Sequence, residues 1–585
     1  MRYNIHWFGL LNRMSLEEST VPLKPIFEKS PLTTLAALPL RPGMARVTLE
    51  EVENLYTLTA ECRERPALWE GAFRLACLLR AKPEQEPVHG WITAAMERQV
   101  PDGSLPYSVT DALAVIRAAW AVYEHDARRP LLEKLALWCG WLFEHWDETL
   151  ACPQLRAHSA DLMELLENLY RVTGKKALLS LCDRLRQQAM DWSGILHTFA
   201  VQRPMSRVTP WKDMEAGLEA EGGDEAGFYT RQYLSCHGES LADGARAAQV
   251  TGLFSGNGRE LSAGKAGWEK ISRYHGAVCG GVTADETLGG TSPAMAVDAA
   301  SLGAWAEAFA ACGAAEDAAW AWSAAETLLV NGMPAALHEG KLIPFQRVNS
   351  LSVNCGTKDC YHVHADGEQP WRALNRLCRG YAALLSGAVS LTEAGAQVNL
   401  YVPGRYALPL KDGACVMNVS GRESEYTLTL TMKQPVKAAL SLRVPEWTED
   451  ACITVNDEGG QEGHAGKYLT IDRTWQSGDT IRVSFARKVA VSEGHHQSCV
   501  IRYGAQVMAF IPGDDWAMAL CGEPVLKDGR VVAPLRRVPD WRKRGGIPAD
   551  LPVLPATEGE TVQVELVPYA SAPCRIALFP RGKQA

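Results

Sequence analysis

Three places in the chain gather residue types that do chemistry. The densest is Tyr361-His362-Val363-His364-Ala365-Asp366-Gly367-Glu368-Gln369-Pro370-Trp371-Arg372, just ahead of an apolar helical stretch, LNRLCRGYAALL. Partial positive charge at a helix start stabilises a carboxylate, so Glu368 and its rival Asp366 are candidates for a reacting carboxylate. The plain alternative is helix capping, worth about 1 kcal/mol. The second place is Glu286, in Ala284-Asp285-Glu286-Thr287 behind Gly280-Gly281. Glycines let backbone approach a ligand closely, and a carboxyl there can serve as an acid; a solvated loop carboxylate is the alternative. The third is Cys355, Cys360, His362 and His364, two thiols and two imidazoles within ten residues. Zinc takes such donors, but His362 and His364 would share one side of a strand, and no His pair stands at the wider zinc spacing. The expectation is therefore a thiol-bearing loop beside a carbohydrate site, with no metal and no cofactor. Paired carboxylates are the equipment of glycoside hydrolysis, in which one protonates the leaving oxygen and the other attacks or activates water. Phosphate-loop, HExxH and GxSxG patterns are absent from the sequence.

Composition narrows the partners. The chain has 585 residues, 47% hydrophobic and 22% charged, with net charge −9. These are values of a globular chain, and an acidic one is a poor general phosphate binder, so nucleic acid is not expected. The first residues lack a signal-peptide pattern, because Asn12 and Arg13 break the apolar run. No window is long and apolar enough for a membrane span. The expected compartment is the cytoplasm, where cysteines such as Cys77 and Cys139 pack as small hydrophobes. Tryptophan, at 18, outnumbers tyrosine at 16 and phenylalanine at 12. Trp120, Trp138, Trp305, Trp447 and Trp475 read as structural; Trp192, Trp371 and Tyr107 remain as apolar walls for a sugar.

The elements that must position these groups fall into two codes. From about 45 to 390 apolar residues recur at i, i+3, i+4 with Gly or Pro between the runs, and helices are expected to end at turns such as Arg171-Val172-Thr173-Gly174 and Val250-Thr251-Gly252. Without a strict repeat period, a closed α toroid of the (α/α)6 barrel type is expected rather than a solenoid. Beyond about 395, apolar and polar residues alternate in Val-, Thr- and Ile-rich runs, which predicts all-β sandwich modules. Gln476-Ser477-Gly478-Asp479 reads as a hairpin loop, and the acidic run within 205–226 as an exposed loop. The expected division is an N-terminal extension over 1–44 packing on the barrel or the β modules, the barrel over 45–392, a β-sandwich over 393–495 and a C-terminal β module over 496–585.

Ordered strings resemble one family. Gln99-Val100-Pro101-Asp102-Gly103-Ser104-Leu105 is similar to the Gln-Pro-Asp-Gly-Tyr-Leu string of glycoside hydrolase family 127, the β-L-arabinofuranosidases. Ala157-His158 and the helix ending Tyr170-Arg171-Val172-Thr173-Gly174 resemble its Gly-His-Leu helix. His237, in CHGESLADG, is placed like the family's next active-site histidine, and Gly280-Gly281-Val282-Thr283 followed by Glu286 resembles its Gly-Gly-Ile string and acid/base glutamate. VNLYVP, LRVPEW, RTWQSGD and LVPYA are similar to its β-domain strings. The resemblance implies sugar contacts for His158 and His237 and makes Asp298 a further carboxylate candidate; His364, in the dense polar cluster, is a further candidate sugar contact. The family also holds zinc through Glu-x-Cys and a Cys-Cys pair, one of them the nucleophile. The matching positions here are Asp298-Ala299-Ala300 and Gly367-Glu368-Gln369-Pro370, which implies a divergent member without the zinc thiolates.

The resulting expectation is a glycoside hydrolase that removes a terminal sugar from an oligosaccharide. Glu286 would be the acid, and Glu368, Asp366 or Asp298 the base or nucleophile. The competing readings are a carbohydrate-binding protein without turnover and a sugar-active lyase on the same fold. A homodimer is compatible with all three.

Overall fold

The computed structural model describes residues 45–582 apart from 48, 61, 151, 153–154, 157, 206–230, 286, 315–317, 350–368, 512–516, 538–559 and 573. The extension over 1–44, the acidic run, Glu286, His364, Asp366 and Glu368 therefore lie outside the described residues. Helices come first and strands dominate from Val389–Leu391 onward.

Six helices set the architecture: α1 (Trp69–Leu79), α2 (Val109–Asp126), α3 (Ser159–Thr173), α4 (Gly238–Ser255), α5 (Ala299–Cys312) and α6 (Gln369–Ser386). Each packs against the next, and α6 returns to α1, so the neighbour relations run in a cycle. Other helices back this ring: Pro87–Glu97 and Arg129–Glu144 lie on α2, Lys176–Gln188 on α3, Gly258–His275 on α4, Ala319–Thr327 on α5 and Glu50–Leu58 on α6.

Local sequence explains the helix ends. Ser108 accepts the Asp111 amide ahead of α2, His237 accepts the Ser240 amide through Nδ1 ahead of α4, and Asp298 accepts the Ala300 amide ahead of α5. Each contact satisfies one amide that a helix start leaves without an intrahelical partner. Gly174, at φ 66°, ends α3 as expected from its turn. The Val250-Thr251-Gly252 turn does not form. Helix α4 runs through it to Ser255 and stops at Gly256, because Gly252 is the place where Leu261 of the backing helix packs.

Helix α5 is nearly all small and apolar, and buried along most of its length. A Cβ on Gly303 would come 2.2 Å from the Arg376 carbonyl oxygen, and one on Gly380 would come 2.7 Å from that of Gly303. The α5 and α6 backbones therefore touch. Trp120, Trp138, Trp305 and Trp475 are core residues as expected. Trp192 joins them: it is 2% exposed and packs on Gly244, so it is no sugar wall.

The β region begins with two sheets sharing one buried core. One is seven-stranded and runs Ala45–Val47, Gly404–Leu410, Gly413–Arg422, Glu425–Met432, Thr480–Phe485, Ala451–Val455, Glu458–Gly463. The other is four-stranded and runs Tyr468–Trp475, Val436–Arg443, Gly395–Val398, Val389–Leu391. Gln476-Ser477-Gly478-Asp479 is therefore not a hairpin loop. It carries the chain from one sheet to the other, with Gly478 at φ 97°. A further sheet, from Val489–Glu493 to Leu578–Phe579, follows with its own apolar cluster. No helix among the described residues is long and apolar enough to cross a membrane.

The helix contact gives a paired prediction. Gly303→Ala forces the Arg376 backbone away and lowers stability by about 1–3 kcal/mol, as overpacking does. Gly90→Ala, in an open helical position with nothing within 4 Å, raises it by about 0.5–1 kcal/mol. Urea midpoints of the two variants should move in opposite directions.

Candidate active site

The ring is not filled by apolar side chains alone. Helix α6 presents Arg372, Arg376 and Arg379 at i, i+4, i+7, and α4 presents Glu239, Asp243 and Arg246 at the same spacing. Glu70 comes from α1, Arg117 from α2, Asp161 from α3 and Glu307 from α5. Arg376 donates to Glu239 Oε1 (2.5 Å), Asp243 Oδ1 (3.1 Å) and Glu307 Oε2 (3.0 Å). Arg379 donates to Glu307 Oε1 (2.8 Å) and to both Asp161 oxygens (2.7 and 3.1 Å). Arg117 makes a two-pronged contact with Glu70 (2.8 and 3.1 Å) and pairs with Asp161. Arg246 joins Asp161 and Glu307.

This lattice separates two cavities that share Glu70, Arg117 and Arg379 in their walls. One, of about 250 Å³, is lined by residues at the helix starts, including Thr110, His158, Glu239, Arg372 and Asn375. The other, of about 210 Å³, is lined by residues toward the helix ends, including Glu124, Glu167, Arg171 and Ser386. The ring helices thus run parallel, and the first cavity is the mouth at their N-termini.

Around that mouth the charges are fixed. His158 Nδ1 lies 2.5 Å from Asp243 Oδ2. Arg372 Nε donates to Glu239 Oε2 (2.6 Å), and its Nη2 lies 3.3 Å from His237 Nε2 and 3.7 Å from Asp298 Oδ2. Burial pushes the Glu239 carboxyl up, but Arg372 and Arg376 outweigh it and hold the group well below the usual carboxylate range. Burial likewise acts against ionised Asp161, Asp243 and Glu70, and their arginines again win. At the opposite cavity the balance reverses: burial raises Glu124 and Glu167, and Arg74 and Arg171 offset it only in part.

The sequence candidates divide accordingly. His158 lines the mouth, and His237 and Asp298 reach it through Arg372. A small sheet holds Asp298, whose strand Ala296–Asp298 pairs with Phe345–Arg347 on one side and with Ala284 on the other. Asp285 pairs with Thr287, and Thr287 bridges to His237, so both neighbours of Glu286 belong to this corner. Trp371 and Tyr107 are not among the described lining residues. Arg65 lies over the Trp371 ring at 4.6 Å, and Arg98 lies over Tyr107 at 5.5 Å. Sequence reasoning missed the arginine–carboxylate lattice. One signal was available: Glu307 is the single charge in AASLGAWAEAFAAC.

Residues 395–487 match the family model described as Beta-L-arabinofuranosidase, GH127 middle domain. Solved structures share the whole fold. A protein described as a glycoside hydrolase superposes with TM-score 0.70 at 15% identity, covering 96% of this chain and all of its own. A GH127 β-L-arabinofuranosidase from Geobacillus stearothermophilus T6 gives 0.62 at 16%, covering 91% of this chain and 94% of its own. Another GH127 β-arabinofuranosidase gives 0.58 at 13%, covering 94% and 98%. No curated protein matches by sequence. The fold is thus one shared with proteins described as glycoside hydrolases, and residues 395–487 match the middle-domain model of family 127.

The zinc that this resemblance implies does not fit the described residues. Asp298 is spent on the Ala300 amide and on Arg372, whose positive guanidinium opposes a dication, and Ala299 and Ala300 offer no ligand. Among the described residues no group of three or more His, Cys, Asp or Glu stands close enough to hold a metal. Cys355, Cys360, His362 and His364 lie outside them.

Glu307→Gln leaves Arg246, Arg376 and Arg379 short of one carboxylate and should lower unfolding free energy by about 3–5 kcal/mol, the cost of breaking a buried pair from one side. The lattice also sets the acid limb. Unfolded carboxylates titrate near pH ~4, and Glu70, Asp161, Glu239 and Asp243 titrate lower when folded. Their contribution is full above that range and is lost as pH falls through the lower folded values. Thermal midpoints should therefore fall steeply below about pH 4.

Proposed function

We propose that the chain is an exo-acting glycoside hydrolase that removes a terminal sugar from an oligosaccharide without the zinc–cysteine nucleophile of family 127. The carrying observation is that a polar cavity opens at the helix starts of a fold that overlaps glycoside hydrolases end to end. In this reading the six-helix cycle is the inner layer of an (α/α)6 barrel spanning about 45–392. The sandwich (393–495), which borrows strands Ala45–Val47 and Val389–Leu391, and the C-terminal module (496–585) support it. Glu286 protonates the leaving oxygen, and Glu368 or Asp366 attacks the anomeric carbon or activates water. Asp298 fits the part of a capping residue that holds Arg372. His158, His237 and His364 contact hydroxyls. The buried free thiols Cys139, Cys182, Cys279, Cys312 and Cys378 suit a reducing compartment, the cytoplasm.

A second reading is a carbohydrate-binding protein without turnover. What favours it is that Glu70, Asp161 and Glu239, the described carboxylates lining the mouth, are all locked to arginines. Glu286→Gln separates the two. In a hydrolase the variant folds normally but loses turnover of an unactivated oligosaccharide by about 10²–10⁴-fold, the usual share of general acid catalysis. Unchanged turnover removes Glu286 from the mechanism. Sugar binding by the wild type with no product after long incubation favours the second reading.

A further inference from the structure

His275 ends the backing helix Gly258–His275 and is buried. Both of its ring nitrogens are engaged, and their partners fix the tautomer. The Gly290 amide donates to Nδ1 (3.0 Å), so Nδ1 keeps its lone pair. Nε2 lies 2.9 Å from the Val201 carbonyl oxygen, which can only accept, so Nε2 carries the proton. The imidazole is therefore neutral as it stands, and a second proton on Nδ1 would meet the Gly290 N–H. Gly290 closes the stretch that carries the small hairpin of Ala284–Asp285 and Thr287–Leu288. The base of that stretch is tied around the same histidine. Thr283 donates its amide to the His275 carbonyl (2.8 Å) and its hydroxyl to the Gly290 carbonyl, and the Gly289 amide donates to the Thr283 carbonyl (2.9 Å). The far side of the hairpin reaches the mouth, where Thr287 bridges to His237 and the Leu288 amide donates to the Cys236 carbonyl (2.9 Å).

We propose that His275 is a positioning residue that holds the 283–290 stretch against His237 only while its imidazole is neutral, so that acid loosens this edge of the mouth. The proposal goes beyond the hydrolase reading and holds whether or not the cavity turns over a sugar. Burial keeps the imidazole below its ordinary value, and the Val201 carbonyl offsets that in part. Neighbouring charges do not decide it. Arg273 and Tyr274 precede it on its helix, Cys279 follows in the next turn, and Arg203 stands two residues beyond Val201. Among the described residues none of these shifts it. The Phe199 ring packs edge-on against it at 6.2 Å. When the Gly290 contact opens, the ring meets water and takes up a proton more readily, so acid favours the open form. The tie is complete above the ordinary imidazole value of ~6.5 and is lost as pH falls through the lower value of the closed ring. A second imidazole touches the same segment: His495 Nδ1 lies 2.9 Å from Thr291 Oγ1.

The test is hydrogen–deuterium exchange of the full chain as a function of pH, read by mass spectrometry and corrected for the intrinsic effect of pH on exchange. Peptides covering 283–290 report the tie, and peptides of α5 serve as the reference. In the wild type, protection over 283–290 should be level above about pH 7 and fall by up to about tenfold between about pH 6 and pH 5, the limit for one linked proton. Protection of α5 should stay level over the same range. His275→Gln has no proton to gain there, so its 283–290 peptides should exchange at a rate that no longer depends on acid. His495→Gln should keep the wild-type profile. A level wild-type profile would overturn the proposal, and so would the same acid loss in His275→Gln. A flat profile in His495→Gln would assign the effect to the other imidazole. A parallel loss of protection in α5 would make His275 an ordinary core residue whose protonation unfolds the ring. If His275→Gln does not fold, the wild-type and His495→Gln profiles decide the matter alone.

Discussion

Arg246, Arg376 and Arg379 cross the middle of a helical ring whose walls are largely apolar, and buried guanidinium groups must be neutralised where they stand. A charge taken out of water without a partner is expensive, and a buried pair recovers that cost only when geometry is close and the remaining donors are satisfied. Here the partners come from other helices: Asp161 from α3, Glu239 and Asp243 from α4, Glu307 from α5. No helix of this set can slide along its axis by one residue without stranding a charge. The Gly303–Gly380 approach fixes the same register by contact, since it brings the Arg376 backbone against α5. Packing and charge therefore specify one alignment of α5 and α6.

The β modules extend that constraint outward. Arg443, on the inner sandwich sheet, pairs with Glu326 of the backing helix behind α5, and Trp447 donates to the same carboxylate. Arg575 from the C-terminal module donates to Gln346 Oε1 at 2.8 Å, and Gln346 sits opposite Val297 on the strand that ends at Asp298. A buried contact between distant parts of the chain thus supports the strand that aims a carboxylate at Arg372. No residue of the modules is among the described residues that line the mouth cavity.

The fold was legible to the extent that it follows from periodicity. Helical spacing and strand alternation report which face is buried, and the change of code near 395 marks where the buried partner changes. What periodicity cannot report is partnership between distant elements. The Gln476–Asp479 turn has the residues of a hairpin loop, and only pairing at long range decides that its two strands enter different sheets. Gly252 looked like a helix stop, yet it is kept free of a side chain for Leu261 of another helix. Trp192 gave no local sign that it would pack on Gly244. The site followed the same rule. His158, His237 and Asp298 came from ordered local strings, whereas the arginines of α6 lie in a stretch that reads as apolar, and their carboxylate partners come from other helices.

The electrostatics of the ring also decide what the described carboxylates can do. A general acid at neutral pH needs a carboxyl whose pKa is raised by burial or by a neighbouring negative charge. Glu70, Asp161, Glu239 and Asp243 experience the opposite, since each sits against guanidinium groups that keep it ionised. The ring acids whose pKa is raised, Glu124 and Glu167, lie at the other cavity, across the ion-pair lattice from the mouth. On the proposed hydrolase reading, the acid is therefore none of these described ring carboxylates. The described lattice is thus better suited to holding a fixed field than to moving a proton.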